Sequence, residues 1–522
     1  MHSQIVAPWR NAQIKDFSVF NPVSSRAINK ESKKEAVVWK LILPLLKEAE
    51  HAELSGVSMW MRAHIREHYM VRMTDVQFSP WMSHRIMEDG DRWQWVASLR
   101  VEGRALYDLL FTSRNRVSSI SAWLPVCKTL ILSRCGLSED DVTVLGAQLL
   151  SLRLETLDLS HNQLGKVGMQ QLSKYLKQIS SLKVLNVENT AAQDEGIRLL
   201  AQVFEALPHL SRLLVGDNAL GNIGGIYVMR AIHKLPSLRV ISLRHNNIDV
   251  EGTQEMSFYL NSCKTLEHID LRGNVIEATG FEYVCKNISD LHDLQTIDVS
   301  HCWIGDAGLI TLSKHFGSLG KLSHILLDGN GLTDESFVYL FPQLRHTPHI
   351  CYLSLRSNSL CAEGASALAE GLQHCKSSLT YLDLGGNALA SPYDELLCSS
   401  LQFPQLSDLR IDHMRLGGEA ARALANAFKA LKKLKNLDIS FNNIDDSGII
   451  AIGANLQLLQ QLECLQARHN RIGNEGGEFL IAGIITHPSL KKIDVSRNVI
   501  TASGARNMIA RVPEMRLESL VL

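Results

Sequence analysis

The chain has 522 residues, with 53 Lys+Arg against 54 Asp+Glu, 45% hydrophobic and 6% aromatic. A net charge of −1 argues against nucleic acid as the main partner, because phosphate binding draws on a clustered basic excess. The most apolar stretch, Val37 to Leu46, is broken by Lys40 and Pro44, so no membrane span and no membrane partner are expected.

The first four residues, Met1 to Gln4, lack the basic region and apolar core of a secretory signal. Ten cysteines are scattered from Cys127 to Cys464 without a CxxC pair, the pattern of reduced thiols in a cytoplasmic protein. Residues 1–34, with Pro8, Pro22 and many polar side chains, are expected to be extended or disordered. Apolar residues then recur at helical spacing from Glu35 to Leu54, from Trp60 to Arg72 and from Trp93 to Leu110. Residues 35–120 therefore read as a Trp-rich helical module capping a repeat array that starts at residue 121. Trp81, Trp93 and Trp95 are either its core or the anchors of an interface, where Trp is enriched.

From residue 121 to 522 the pattern L-x-x-L-x-L-x-x-N-x-L repeats, as in Leu154, Leu157, Leu159, Asn162 and Leu164. The asparagine position falls at 135, 162, 190, 218, 246, 274, 302, 330, 358, 387, 414, 442, 470 and 498, so the spacing is 28 with small departures. Cys135, Thr190, Cys302 and Met414 replace the asparagine. The two inward leucines mark a short parallel strand, and the asparagine amide is placed to satisfy backbone groups of adjoining turns. Gly168, Gly196, Gly224, Gly252 and others stand six residues further on, where a missing side chain permits close approach at the start of a helix. Helical spacing such as Leu309, Leu312 and Phe316 completes the unit. Fourteen full units and a truncated fifteenth, marked by Leu517, Leu520 and Leu522, predict an α/β horseshoe solenoid. Its parallel strands line the concave face and its helices the convex face. Leu520 and Leu522 at the last strand are candidate contacts for a partner that covers the sheet edge.

Strand period two puts two rows of outward side chains on the concave face. They include Arg244, Asp270, Arg272, Asp298, Arg356 and Asp383, either a polar docking surface or a self-neutralised ladder in which Arg244 faces Asp270 and Arg272 faces Asp298. Units ten and eleven depart from register: spacing goes to 29 and then 27, Pro392 and Pro404 flank the segment, and Met414 cannot donate amide hydrogen bonds. A partner site or bend around Tyr393 and Met414 is one reading, and drift in a long array the other. His161, His245, His301, His413 and His469 share one position of the unit but never neighbouring strands, which excludes a shared metal on spacing. Neither a phosphate-cradling glycine loop nor H-E-x-x-H occurs, so no catalytic, cofactor or metal residue is assigned.

These units resemble the leucine-rich repeat family, in its ribonuclease-inhibitor-like class of about 28 residues per unit. The N-terminal residues Trp39, Leu41, Ile42, Pro44, Leu45 and Leu46, then Trp81 with Arg85, then Trp93 followed by Arg100, Leu106 and Leu110, resemble a second group. This is the T-complex-associated testis-expressed family, the leucine-rich-repeat subunits of the nexin–dynein regulatory complex in motile cilia and flagella. The resemblance implies a non-enzymatic subunit of a multisubunit axonemal assembly, with other proteins as partners, no cofactor and a cytoskeletal location. Three alternatives stay open: an enzyme inhibitor, a GTPase activator supplying one of Arg244, Arg272 or Arg356, and an F-box-like ubiquitin-ligase adaptor.

Overall fold

The computed structural model describes residues 127–522 except 390, 486 and 512–516, together with the backbone of two earlier strands, Asp75–Phe78 and Ser98–Val101. Among the described residues seventeen strands form one sheet. Each pairs in parallel with the next in chain order, from Asp75–Phe78 through Ser98–Val101 and Thr129–Ile131 to Ser519–Val521. Leu157 lies opposite Leu185 and so on around the array, with the irregular junction absorbed at Tyr352, Tyr381 and Asp408 without loss of register.

Parallel strands require a crossover, and within the array it is usually a helix, from 8 residues at Tyr393–Ser400 to 12 at Gly165–Leu176. Helices pack about 8–10 Å apart and strands about 4.8 Å apart. One strand and one helix per unit therefore force the stack to bend, with the sheet inside and the helices outside. Between the two layers runs a continuous apolar core. In one unit Leu154, Leu157, Leu159, Leu164, Met169, Leu172 and Leu176 are all fully buried, each side chain stabilising by roughly 1.5–3 kcal/mol relative to exposure.

The asparagine ladder closes one edge of that core. Asn162 Nδ2 donates to Leu132 O of the preceding unit and to Leu159 O of its own, both at 2.8 Å, while its Oδ1 accepts Leu137 N–H at 3.0 Å. Where two successive units both carry the asparagine, the strand-end carbonyl between them receives two amides, one from its own unit and one from the next, as Leu327 O does from Asn330 and Asn358. Cys302 imitates the pattern through its thiol, which reaches Leu271 O at 3.2 Å. Met414 has no donor and is fully buried, yet its neighbours cover the loss. Leu384 O keeps Asn387 at 2.8 Å, Ile411 O keeps Asn442 at 2.9 Å, and Leu389 N–H turns to Met414 O at 3.2 Å. The substitution is absorbed by the redundancy of the ladder, and Met414 itself is withdrawn from any partner.

The glycines at the helix starts also meet their expected need, with one difference. At several of them what approaches first is a polar side chain of the preceding unit: a Cβ on Gly224 would lie 2.3 Å from Asp194 Oδ1. That carboxylate accepts Gly221 N–H at 2.8 Å and Gly224 N–H at 2.9 Å. A helix is thus capped across the unit boundary, which couples adjacent units beyond apolar burial.

The helix expected from Trp93 to Leu110 contains a strand instead. Ser98-Leu99-Arg100-Val101 alternates with period two, and Leu99 takes the place opposite Leu130 that an array leucine would take. The parallel sheet thus begins before residue 121. Apart from Asp75–Phe78, the rest of the 35–120 module, including Trp81, Trp93 and Trp95, and the 1–34 segment lie outside the described residues.

Candidate interaction surface on the concave face

The outward carboxylates have a local task before any partner is considered. Asp298 Oδ1 accepts Ser300 N–H at 2.9 Å, Asp270 Oδ1 accepts Arg272 N–H at 3.1 Å, and Asp383 Oδ1 accepts Gly385 N–H at 2.9 Å. The same bond recurs at Asp158, Asp438 and Asp494. The periodic aspartate ends the strand by satisfying the N–H two residues on. Asp270 also accepts the Ser242 hydroxyl at 2.8 Å. Burial pushes the Asp270 and Asp298 carboxyls above the usual range.

The ion pairs differ from the expected nearest-neighbour ladder. Arg244 turns away from Asp270 and reaches back two units to Glu188, its Nη2 donating to Oε2 at 3.1 Å, with Asp217 at 3.6 Å. Arg272 has no ion pair among the described residues, and its buried Nε lacks a hydrogen-bond partner. Arg356 reaches forward, donating to Asp383 Oδ1 at 3.2 Å and to Asp412 Oδ1 two units on at 2.9 Å. Both long spans cross a glycine. A Cβ on Gly216 would lie 2.6 Å from Arg244 Cγ, and one on Gly385 would lie 2.4 Å from Arg356 Nη1. An arginine, a glycine and an acid in one row of three successive units therefore make a staple that spans two strand spacings.

Burial raises the Glu188 carboxyl despite Arg244. At Asp412 burial acts the same way, but the hydrogen bonds from Arg356 and His413 outweigh it and leave the carboxyl below the usual range. Asp383, touched by Arg356 at one edge, stays raised by burial.

Around the second staple the surface is aromatic. His324, Tyr352 and Tyr381 stack in successive units with ring centroids 5.6 and 3.9 Å apart, and Arg410 sits 5.5 Å over the Tyr381 ring. A second ladder, His413, Phe441 and His469, stacks at 4.0 and 4.4 Å, with Arg468 4.7 Å over Phe441. Aromatic and arginine side chains held in place by their neighbours are what interface hot spots are made of. The signal that could have found these ladders is an aromatic or imidazole ring recurring at the unit spacing on an outward position.

The remaining predicted contacts are dispersed. Tyr393, 37% exposed, opens the convex helix Tyr393–Ser400, far in the unit from the concave staple. Leu520 packs against the core beside Ile493, and Leu522 is 36% exposed. An apolar cleft between the layers is lined by Met229, Ile248, Met256 and Val284. Its polar neighbours Thr253, Ser257 and Asn274 are hydrogen-bonded to backbone, so it offers no titratable chemistry. All ten cysteines are free thiols, and burial pushes those of Cys302 and Cys375 up to about 12.

A family model described as Leucine Rich repeat matches residues 153–173, 234–257, 262–285, 291–313, 430–453 and 486–508. The chain is similar to the ribonuclease inhibitor of Sus scrofa, 25% identical over 75% of this chain and 88% of that protein. It is also similar to NACHT, LRR and PYD domains-containing protein 14 of Mus musculus, 29% identical over 41% of this chain and 22% of that protein, so that match spans about a fifth of the relative's length. Among solved structures, an LRR protein of Leptospira interrogans is 18% identical, with 87% of this chain and 97% of that chain covered at a TM-score of 0.46. An internalin of Listeria monocytogenes is 19% identical, covering 72% and 88%, at a TM-score of 0.45. The 28-residue unit, its asparagine ladder, the helix-backed parallel sheet and the matches to the repeat model and to ribonuclease inhibitor support a leucine-rich-repeat protein of the ribonuclease-inhibitor-like class.

Proposed function

We propose that this chain is a non-enzymatic scaffold that binds other proteins through its concave face. We further propose that it serves as a subunit of an axonemal assembly of the nexin–dynein regulatory type. The observation that carries the first statement is the stapled, aromatic surface around Arg356. Tyr352 and Tyr381 are held by stacking, the Tyr381 hydroxyl donates to Asp383 Oδ2, which Arg356 pairs, and Arg410 lies over the Tyr381 ring, so a partner meets a surface whose ordering cost is largely met. The support for the axonemal reading is the N-terminal pattern of Trp39, Pro44, Trp81, Trp93, Leu106 and Leu110. It is tested by tagging the protein in a flagellated cell: retention along the flagellum after detergent extraction is expected, and a freely extracted pool would exclude it.

A second reading, an enzyme inhibitor, is favoured by the similarity to ribonuclease inhibitor over 88% of that protein's length. Near-stoichiometric loss of ribonuclease activity on adding this protein would move the assignment there.

A further inference from the structure

We infer that the edge of the solenoid formed by the loops after its last full strands binds an acidic segment of a protein partner, carrying Asp and Glu side chains. The residue just before the asparagine position has left-handed backbone in all fourteen units, and Gly273, Gly329 and Gly386 occupy it at little steric cost. His413, Phe441, His469 and Arg497 stand there in four consecutive units with φ between 54° and 57°. Side chains stand at this position in eleven of the fourteen units, but only in this last run do four consecutive units all carry a ring or a guanidinium.

Guanidiniums surround this run of side chains. Arg415, Arg468, Arg471 and Arg497 are all exposed, and among the described residues none makes an ion pair. Arg468 is held over Phe441, and Arg497 Nη1 lies 3.1 Å from His469 Nε2, so two of the four guanidiniums are positioned by rings. The nearby carboxylates are already engaged. Asp412 faces Arg356 and His413, Asp438 and Asp494 accept strand-end N–H groups, and Asp445 caps the helix Asp446–Asn455. Four uncompensated guanidiniums within a few strand spacings form a site for carboxylates, which the planar fork of arginine binds bidentately.

Three strand spacings span about 15 Å, the length of four or five extended residues. Four guanidiniums over that length match a short run of carboxylates, and a net charge of −1 offers no extended basic excess for a nucleic acid, so charge favours a short acidic peptide. The inference rests on the reading of the protein as a protein-binding scaffold. Its failure would leave docking at Tyr352 and Tyr381 untouched.

The test uses the full chain and a fluorescent peptide of alternating Glu and Gly, with the Gln version as control and a single-stranded oligonucleotide of equal charge as competitor. The Glu peptide is expected to bind and the Gln peptide not. Arg468→Ala/Arg497→Ala, and separately the charge reversal Arg415→Glu/Arg471→Glu, should each weaken binding at least about tenfold. Arg345→Ala/Lys376→Ala, exposed elsewhere, should leave it unchanged. All variants should keep the wild-type circular-dichroism melt. Equal binding of the Glu and Gln peptides, an unchanged affinity in both arginine pairs, or tighter oligonucleotide binding lost in the same pairs would each overturn the inference.

Discussion

The concave face carries the same device twice, in opposite order. In the earlier region Glu188 comes first, then Gly216, then Arg244; in the later one Arg356 comes first, then Gly385, then Asp412. The strands of the earlier staple begin with Val184, Arg212 and Val240, whereas the equivalent positions at the later one carry the stacked Tyr352 and Tyr381. The difference separates two uses of one geometry. At Glu188 a single buried acid is offset by one arginine. At Arg356 one arginine serves two buried acids and steadies a surface of rings.

From that contrast, Arg356→Ala is expected to have the larger effect. It leaves Asp383 and Asp412, with side chains 3% and 5% exposed, without their cation. A cost of about 2–3 kcal/mol is expected, reduced from a fully buried pair because the guanidinium is one-third exposed. Gly385→Val should cost about as much, since the new side chain occupies the path of the guanidinium. Urea denaturation of both variants measures this, and a loss near zero in both would dissolve the staple. Arg244→Ala should cost less, about 1–2 kcal/mol, because Glu188 is already shifted toward its neutral form and escapes by taking up a proton.

The ladder offers a sharper contrast of about 1 kcal/mol. Asn358→Ala leaves Leu327 O with Asn330 and Leu355 O with Asn387. Asn442→Ala strips Ile411 O of its one amide, because Met414 supplies none. Asn442→Ala should therefore be the more destabilising by about one hydrogen bond, and Met414→Asn should erase the excess. Equal costs for the two alanine variants would refute the redundancy.

The smallest effect is in pH. Asp412 is held below the usual carboxylate range, so its stabilisation is complete above about pH 4 and is lost as pH falls through its lowered value. Glu188 is raised, so the cost of keeping it ionised in the fold fades as pH falls through its raised value. Stability against pH should thus fall less steeply in acid for Arg356→Ala than for the parent. For Arg244→Ala it should rise more on mild acidification.

Much of the fold is legible in the sequence because every unit states it again. Leucines at period two, the asparagine position and a glycine six residues on are local signals with a fixed spacing. The strand Ser98–Val101 is missed because Arg104 stands where the unit would place its asparagine, and apolar spacing around it also fits a helix. At the site, Arg244, Asp270, Arg272, Asp298, Arg356 and Asp383 are correctly read as outward, but their pairing is not. Nearest-neighbour reasoning links adjacent strands, while the staples skip one, and the glycine that permits the skip reads in sequence as an empty place in the row. Met414 shows the converse: a conspicuous break in pattern that neighbouring asparagines make harmless.

The most direct test of the concave surface is hydroxyl-radical footprinting of the full chain, free and within its native assembly. Tyr352, Tyr381 and Phe441 are predicted to lose reactivity on assembly while convex Phe258 and Tyr339 keep theirs. Protection of Phe258 and Tyr339 with Tyr352, Tyr381 and Phe441 unchanged would contradict a concave docking surface.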